Sequence, residues 1–400
     1  MNPDFRRLWT GQTISEIGSR ITREGLPLTA VMVLGASPAQ MGLLAGIGAA
    51  ATLLVSLPAG VWVDRWRRRP ILIATDLGRA ALLTTVPLAA AAGLLRMEQL
   101  YLVAALTGIL TVFFDVAYQS YLPFLVERER LFEGNRRLRI SGAIAETAGP
   151  GLTGILVQTI TAPGAILLDA ASFLCSALFV GRIRKRESER TSAGPSPGWR
   201  ENLAGVRVVA RDPVLRALAL WSGMTGLFGG FFVGLYVLFA IRDLHMMPAI
   251  LGLVIACGGV GELVGASLAS RIVARLGMGR AMIAAAVVSA AGATLIPLAQ
   301  GPALLAASQL IGDSARAVWA ISIVSLRQTV TPDHLLGRVN SSMHLVERGF
   351  WPLGAMLGGW LATSIGVRPT MAAGAVGILL ACLWLLPVQR YGGQAGRTLP

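Results

Sequence analysis

Apolar residues run along this chain in long blocks, broken at short intervals by a few polar, glycine or proline positions. A helix needs about 20 mainly apolar residues to cross the core of a bilayer. Twelve such stretches can be marked, near 8–34, 39–63, 70–94, 99–122, 138–160, 164–183, 214–240, 248–272, 280–299, 302–326, 340–364 and 368–388. Most connections between them are a few residues long, so neighbouring helices pair antiparallel. Two stretches are marginal alone: the first carries Glu16, Arg20, Arg23 and Glu24, and the eleventh carries Glu347 and Arg348. The pattern predicts an all-α membrane protein of twelve transmembrane helices.

The longest polar stretch, Arg182 to Asp212, falls in the middle. Its heart, Ser192 to Gly198, reads SAGPSPG, a linker composition. The expected organisation is an N-terminal six-helix half over 1–183, a cytoplasmic linker over 184–212 and a C-terminal six-helix half over 213–400. The halves are related. Trp9, Gly11, Thr13 and Gly18 match Trp221, Gly223, Thr225 and Gly230; Pro38, Ala39, Gly42 and Gly48 match Pro248, Ala249, Gly252 and Gly258; Asn135, Gly149 and Gly154 match Asn340, Gly354 and Gly359. Three sets in order, at nearly constant spacing, argue for a tandem repeat, and parallel repeats are one architecture of transporters. The chain has 47 glycines, many at small-residue spacings that let helices approach closely.

Composition narrows the class. Hydrophobic residues make up 54% and charged residues 14%, whereas a soluble domain is about one quarter charged. Disorder, a collagen repeat, a disulfide scaffold and an ordinary soluble enzyme are excluded. The net charge of +14 comes from 34 Arg and Lys185 against 21 acidic residues. Such a balance fits nucleic acid or a membrane surface; a mean hydropathy of +0.64 decides for the lipid bilayer and against nucleic acid. With both termini in the cytoplasm, 27 basic residues fall in inside segments, and only Arg96, Arg242 and Arg368 fall outside. That asymmetry obeys the positive-inside rule. No uninterrupted apolar core follows Arg6 and Arg7, so the N-terminus reads as a first, partly polar membrane helix rather than a signal peptide. Cys175, Cys257 and Cys382 stand alone and the three histidines lack ligand spacing, so neither a metal nor a cofactor is expected.

Ionisable residues inside membrane segments are costly and read as functional by default. Glu16, Arg20, Arg23 and Glu24 rank first, with Glu16, Arg20 and Arg23 on one helical face. Asp115 and Glu146 rank next. Asp76, Arg79, Asp169, Glu262, Asp313, Arg316, Glu347 and Arg348 complete the set. Two readings of the first helix stay open: a stripe in which a carboxylate exchanges a proton, or a static lattice of ion pairs. The chain carries no phosphate-binding Gly-x-x-x-x-Gly-Lys loop, so any uphill transport must draw on a gradient, with protons as the expected coupling ion.

The most specific motif is PAGVWVDRWRRRP, Pro58 to Pro70. It resembles the loop between helices two and three of the major facilitator superfamily, with Gly60, Asp64, Arg65, Arg68 and Arg69 at the motif positions. In that family the Asp and Arg knit the cytoplasmic ends of helices and steady one gate state. The repeat position of Asp64 is Ala274, so a second gate would be degenerate. AGPGLTG, Ala148 to Gly154, resembles the Gly-Pro signature of exporters through Gly149, Pro150 and Gly154, with Thr153 where a glycine is usual. FRRLWTGQTISEIG, the LPL at Leu26 to Leu28 and FFDVAYQSYLP make the whole chain similar to the enterobactin-exporter and macrolide-efflux branch. Ser19 stands where that branch often has an Asp.

The resemblance implies a monomeric secondary active transporter of a bacterial cytoplasmic (inner) membrane, with both termini inside. It implies proton-driven efflux of a small amphipathic compound, drug-like or siderophore-like, by alternating access. Import of a small metabolite is the alternative within transporters. A membrane-embedded enzyme or sensor is the alternative outside them, but no Ser/His/Asp set, paired metal ligands or attached soluble domain is visible.

Overall fold

The computed structural model describes residues 2–127, 130–185, 187 and 206–393. The SAGPSPG stretch and most of the expected linker lie outside the described residues. Twelve long helices appear among those described: α1 (Pro3–Met32), α2 (Pro38–Arg65), α3 (Arg68–Ala91), α4 (Met97–Leu125), α5 (Leu131–Ile160), α6 (Ala162–Gly181), α7 (Pro213–Leu238), α8 (Pro248–Leu276), α9 (Met278–Leu298), α10 (Pro302–Val330), α11 (Asp333–Ile365) and α12 (Val367–Ala381). A π-helical turn, Phe239–Asp243, extends α7, and a 3-10 segment, Cys382–Gly393, follows α12.

The helix starts follow from capping chemistry. Ser37 accepts from the Gln40 amide while the Gln40 side chain accepts from the Ser37 amide, a capping box that opens α2. Asp212 accepts from the amides of Val214 and Leu215, both at 2.8 Å, with Pro213 at the first helical position. Nine described helices are long and apolar enough to cross a membrane. The three below that mark are α1 and α11, both marginal by sequence, and α10. Asp313, Arg316 and Arg327 within α10 lower its apolarity. α5 begins seven residues before the apolar stretch it was expected to fill, and Glu133 pairs with Arg136 and Arg137 in that added length.

The chain divides into two compact units. The first holds Met1–Ser196 with Met247–Ala256; the second holds Pro197–Met246 and Cys257–Pro400. In the first, α1 packs on α5 and α6, α3 on α4 and α6, and α2 on α4. Its core gathers Phe5, Leu8, Leu72, Phe114, Tyr121 and Leu125. In the second, α7 packs on α11 and α12, and α9 on α10 and α12. Trp319, Met282, Leu218, Met343 and Leu385 lie at its centre, and Trp221 packs tilted against Trp319 with ring centroids 3.8 Å apart.

Glycines set the closest approaches. A Cβ on Gly11 would press on Ser176 and Phe179, one on Gly18 would collide with Ser172 and Asp169, and one on Gly25 would press on Ile166. Seven-residue steps thus leave a bare track on α1 along which α6 lies. In the second unit Gly230, Gly354 and Gly358 bring α7 and α11 into backbone contact.

Candidate functional site

The charged stripe of α1 faces α5 within the first unit. Glu146 of α5 takes two guanidiniums at once: Arg20 on Oε2, and Arg23 on Oε1 at 3.4 Å. Arg23 also stands 3.9 Å from Glu24. Gly149 makes room for this, since a side chain there would strike the Cβ and Cγ of Arg20. Arg20, Arg23 and Glu146 therefore form one paired group, joining residues more than 120 positions apart.

Glu16 is different. Its Oε1 accepts from Gln12 at 3.2 Å, while its Oε2 is buried with no partner among the described residues. Gly142 of α5 lies against that oxygen. Asp115 and Tyr118 of α4 lie within electrostatic reach of Glu16, and the Tyr118 hydroxyl is also buried and unpartnered. Glu24 lines a narrow apolar crevice with Leu28, Pro150, Gly154, Pro248 and Gly252. The two carboxylates of the stripe outside the Glu146 group thus sit in unlike surroundings, one polar and one apolar.

The exporter-like motif occupies the crossing of α5 with the first turns of α8. A Cβ on Gly154 would overlap the Pro248 carbonyl, and one on Gly252 would overlap that of Pro150. Gln158 accepts from the Ala249 amide at 3.3 Å beside this crossing.

At the other end of the unit, the gate-motif residues divide. Gly60 has open space about it, and Arg65 is exposed. The side chain of Asp64 lies outside the described residues. Arg68 is half-buried. Arg69 donates through Nε to the Val180 carbonyl at 3.2 Å and through Nη2 to that of Gly181, closing the C-terminus of α6. Its amide donates to Glu187. Asp4 accepts from the amides of Arg184 and Lys185 at 3.2 and 3.0 Å and from Arg7 at 2.6 Å. Lys185 Nζ in turn donates to the Phe124 carbonyl at the end of α4. Asp4 precedes the apolar stretch that begins near residue 8. Burial alone would push its carboxyl up, but the two amides and the Arg7 guanidinium outweigh that and hold it below its ordinary value.

A third group brings together Asp76, Arg79 and Asp169, which the sequence named but ranked below the first-helix charges. Arg79 is buried between the rings of Phe114 and Phe173, 4.4 and 4.0 Å from their centroids. It donates to Asp76 at 2.5 Å and to Thr111 at 3.4 Å. Asp169 lies nearby with its own partners, Thr22 of α1 and Ser172 at 3.0 Å. The three-residue step from Asp76 to Arg79 was legible; the convergence of Asp169 and Thr22, 147 positions apart, was not. Gly18, whose bare face admits Asp169, was the available signal.

Residues 1–394 match the family described as transmembrane secretion effector. The chain belongs to that family. It is a major facilitator transporter, not an enzyme. The chain is 28% identical over 377 residues to the multidrug efflux pump Tap of Mycolicibacterium fortuitum, covering 91% of this chain and 90% of that one. It is 25% identical to the uncharacterized MFS-type transporter YfiS of Bacillus subtilis, covering 95% and 91%. Among solved structures, the nucleoside transporter NupG matches with a TM-score of 0.80 at 13% identity, over 97% of this chain and 99% of that one. A bacterial homologue of the iron transporter ferroportin matches at 0.76 and 17%, over 96% and 98%. At those identities the structures speak for the fold. The transporter is thus a multi-pass membrane protein that moves a small molecule.

Proposed function

We propose that this transporter expels a small amphipathic compound from the bacterial cytoplasm across the inner membrane, driven by protons. In this reading both termini face the cytoplasm, the chain works as a monomer, and residues 1–183 and 213–400 are the two repeat halves joined by 184–212. Gly60, Asp64, Arg65, Arg68 and Arg69 steady a cytoplasmic gate, with Arg69 tying α3 to the end of α6. Gly149, Pro150 and Gly154 supply the close crossing of α5. Glu16, Arg20, Arg23, Glu24, Asp115 and Glu146 line the path of substrate and proton.

One observation carries the reading: Glu16 holds a buried carboxylate oxygen with no partner among the described residues, within electrostatic reach of Asp115 and Tyr118. A carboxylate so placed can take a proton without breaking an ion pair, whereas Glu146 cannot. Efflux is supported by the relatives named as multidrug efflux pumps. The test is accumulation of ethidium and other amphipathic dyes in cells with and without the protein. Expression should lower accumulation, and a protonophore should abolish the difference. Unchanged or raised accumulation across the panel would overturn the reading. Glu16→Gln should lose gradient-driven export of a responsive dye while keeping counterflow, which needs the site but no gradient.

A further inference from the structure

The third group holds more negative charge than its surroundings can neutralise. Asp76 and Asp169 are both fully buried, and Arg79 is the cation beside them. The other facing groups are Thr111 and Asp115 from α4, Ser172 and Ser176 from α6, and Thr22 from α1. Asp115 is exposed. One guanidinium balances one buried carboxylate. A second ionised carboxylate, taken out of water without a cation of its own, costs several kcal/mol even after relaxation. The group is therefore more stable with one proton bound.

Geometry says where that proton sits. Asp76 holds Arg79 directly, and two aromatic faces clamp the guanidinium in that position. Asp169 has no such contact; both its oxygens meet hydroxyls. A hydroxyl can donate to a carboxylate or accept from a carboxylic acid, so Thr22 serves either state of Asp169 without moving. Ser176 faces Asp76, and Arg79 Nε is buried with no hydrogen-bond partner among the described residues. Free hydrogen-bonding capacity on the cation is what a change of pairing needs. It lets the guanidinium be shared between Asp76 and Asp169 once Asp169 is ionised.

We propose that Asp169 is a proton-binding site of the transporter, with Arg79 as its counter-charge and Thr22 as its hydrogen-bond partner in both states. With the proton on Asp169, Arg79 serves Asp76 alone. When the O–H bond breaks, the proton leaves towards Asp115, the exposed member of the group, and the charge left on Asp169 is met by sharing Arg79. The site links α1 and α4, which carry Glu16 and Asp115, to α3 and α6. Its use in transport rests on the proton-driven reading above; its titration does not.

The test is infrared difference spectroscopy of the full chain in nanodiscs across a pH series, with no substrate present. A protonated buried carboxyl gives a C=O stretching band well separated from that of a carboxylate. Wild type should show a band that titrates away as pH rises. Asp169→Asn should lack it, while Glu16→Gln and Glu24→Gln should retain it. Thr22→Val, which deletes a partner but no acid, should shift the band's midpoint, and so gives a reading even if Asp169→Asn folds poorly. Persistence of the band in Asp169→Asn would overturn the proposal. So would a band that survives at every pH, which marks a permanently neutral acid. A titrating Asp169 in a protein that exports dyes without any proton gradient would instead overturn the proton-driven reading and leave the site standing.

Discussion

Glu16 and Glu146 carry the same carboxylate, yet the structure assigns them unequal responses to Glu→Gln substitution. Glu146 holds Arg20 and Arg23, with side-chain exposures of 44%, 24% and 61%. A hydrogen bond to a charged group contributes about 1.5–3 kcal/mol when shielded, and an exposed pair about 0.2–1 kcal/mol. The inner Arg20 pair belongs near the bottom of the first range and the outer Arg23 pair within the second. Glu146→Gln should therefore cost about 2 kcal/mol, because it also leaves two like charges facing each other. Glu16→Gln removes a charge with no cation bound to it, and the new amide can still accept from Gln12. Its cost should stay within about 0.5 kcal/mol. Each kcal/mol moves a melting temperature by about 2–4 °C for a unit of 150–250 residues. The assay is thermal unfolding of the purified protein in one detergent, at one scan rate, since unfolding of such a protein is governed by rate. Glu146→Gln should melt about 4–8 °C below wild type, with Glu16→Gln close to it. The reasoning is refuted if Glu16→Gln is destabilised as much as Glu146→Gln. An Arg20→Gln/Glu146→Gln cycle should be clearly non-additive, because the second loss finds its partner already gone.

Other consequences are simpler to read. Asp64→Asn should impair dye export tenfold or more at near-normal expression, since one charge-assisted bond of about 1.5–3 kcal/mol shifts a balanced gate by that factor; full activity would reduce Gly60–Arg69 to a positive-inside signal. Gly354→Ala should lower the yield of folded protein sharply, because its Cβ would enter the Leu227 carbonyl, whereas Gly60→Ala, with open space around it, should not. Asp4→Asn should destabilise the protein at neutral pH. A carboxyl held low contributes its stability above its unfolded value and loses it as pH falls, so wild type and variant should converge below the ordinary value of 3.8; a difference that persists there would assign the effect to packing.

The helices were legible because each apolar block is long and the loops between blocks are short. Where a helix outruns its block, as α5 does, the extension carries Glu133 and its two arginines, a local pattern that a length criterion ignores. α10 is the converse case: its length suffices, but Asp313 and Arg316 make it less apolar than the nine clear spans. The first-helix charges were visible as a set, and their division was not. Arg23 finds Glu146 across 123 positions, and nothing near Glu16 in sequence says that its buried Oε2 lacks a partner among the described residues. The repeat misleads in one respect. Gly18 and Gly230 match in sequence, yet the first admits α6 and the second admits α11. Equivalent positions in the two units have been put to different packing uses.

The end of α6 is gripped from three sides: by Arg69 of α3 on the carbonyls of Val180 and Gly181, by Asp4 of α1 on the amides of Arg184 and Lys185, and by the Phe124 carbonyl of α4 on Lys185. In mechanical terms this is a load path. A tug on the chain beyond residue 187 cannot be absorbed by unwinding α6, because the slack has been taken up by bonds to three other helices. The pull arrives at α1, α3 and α4 together, and displaces those helix ends as one body.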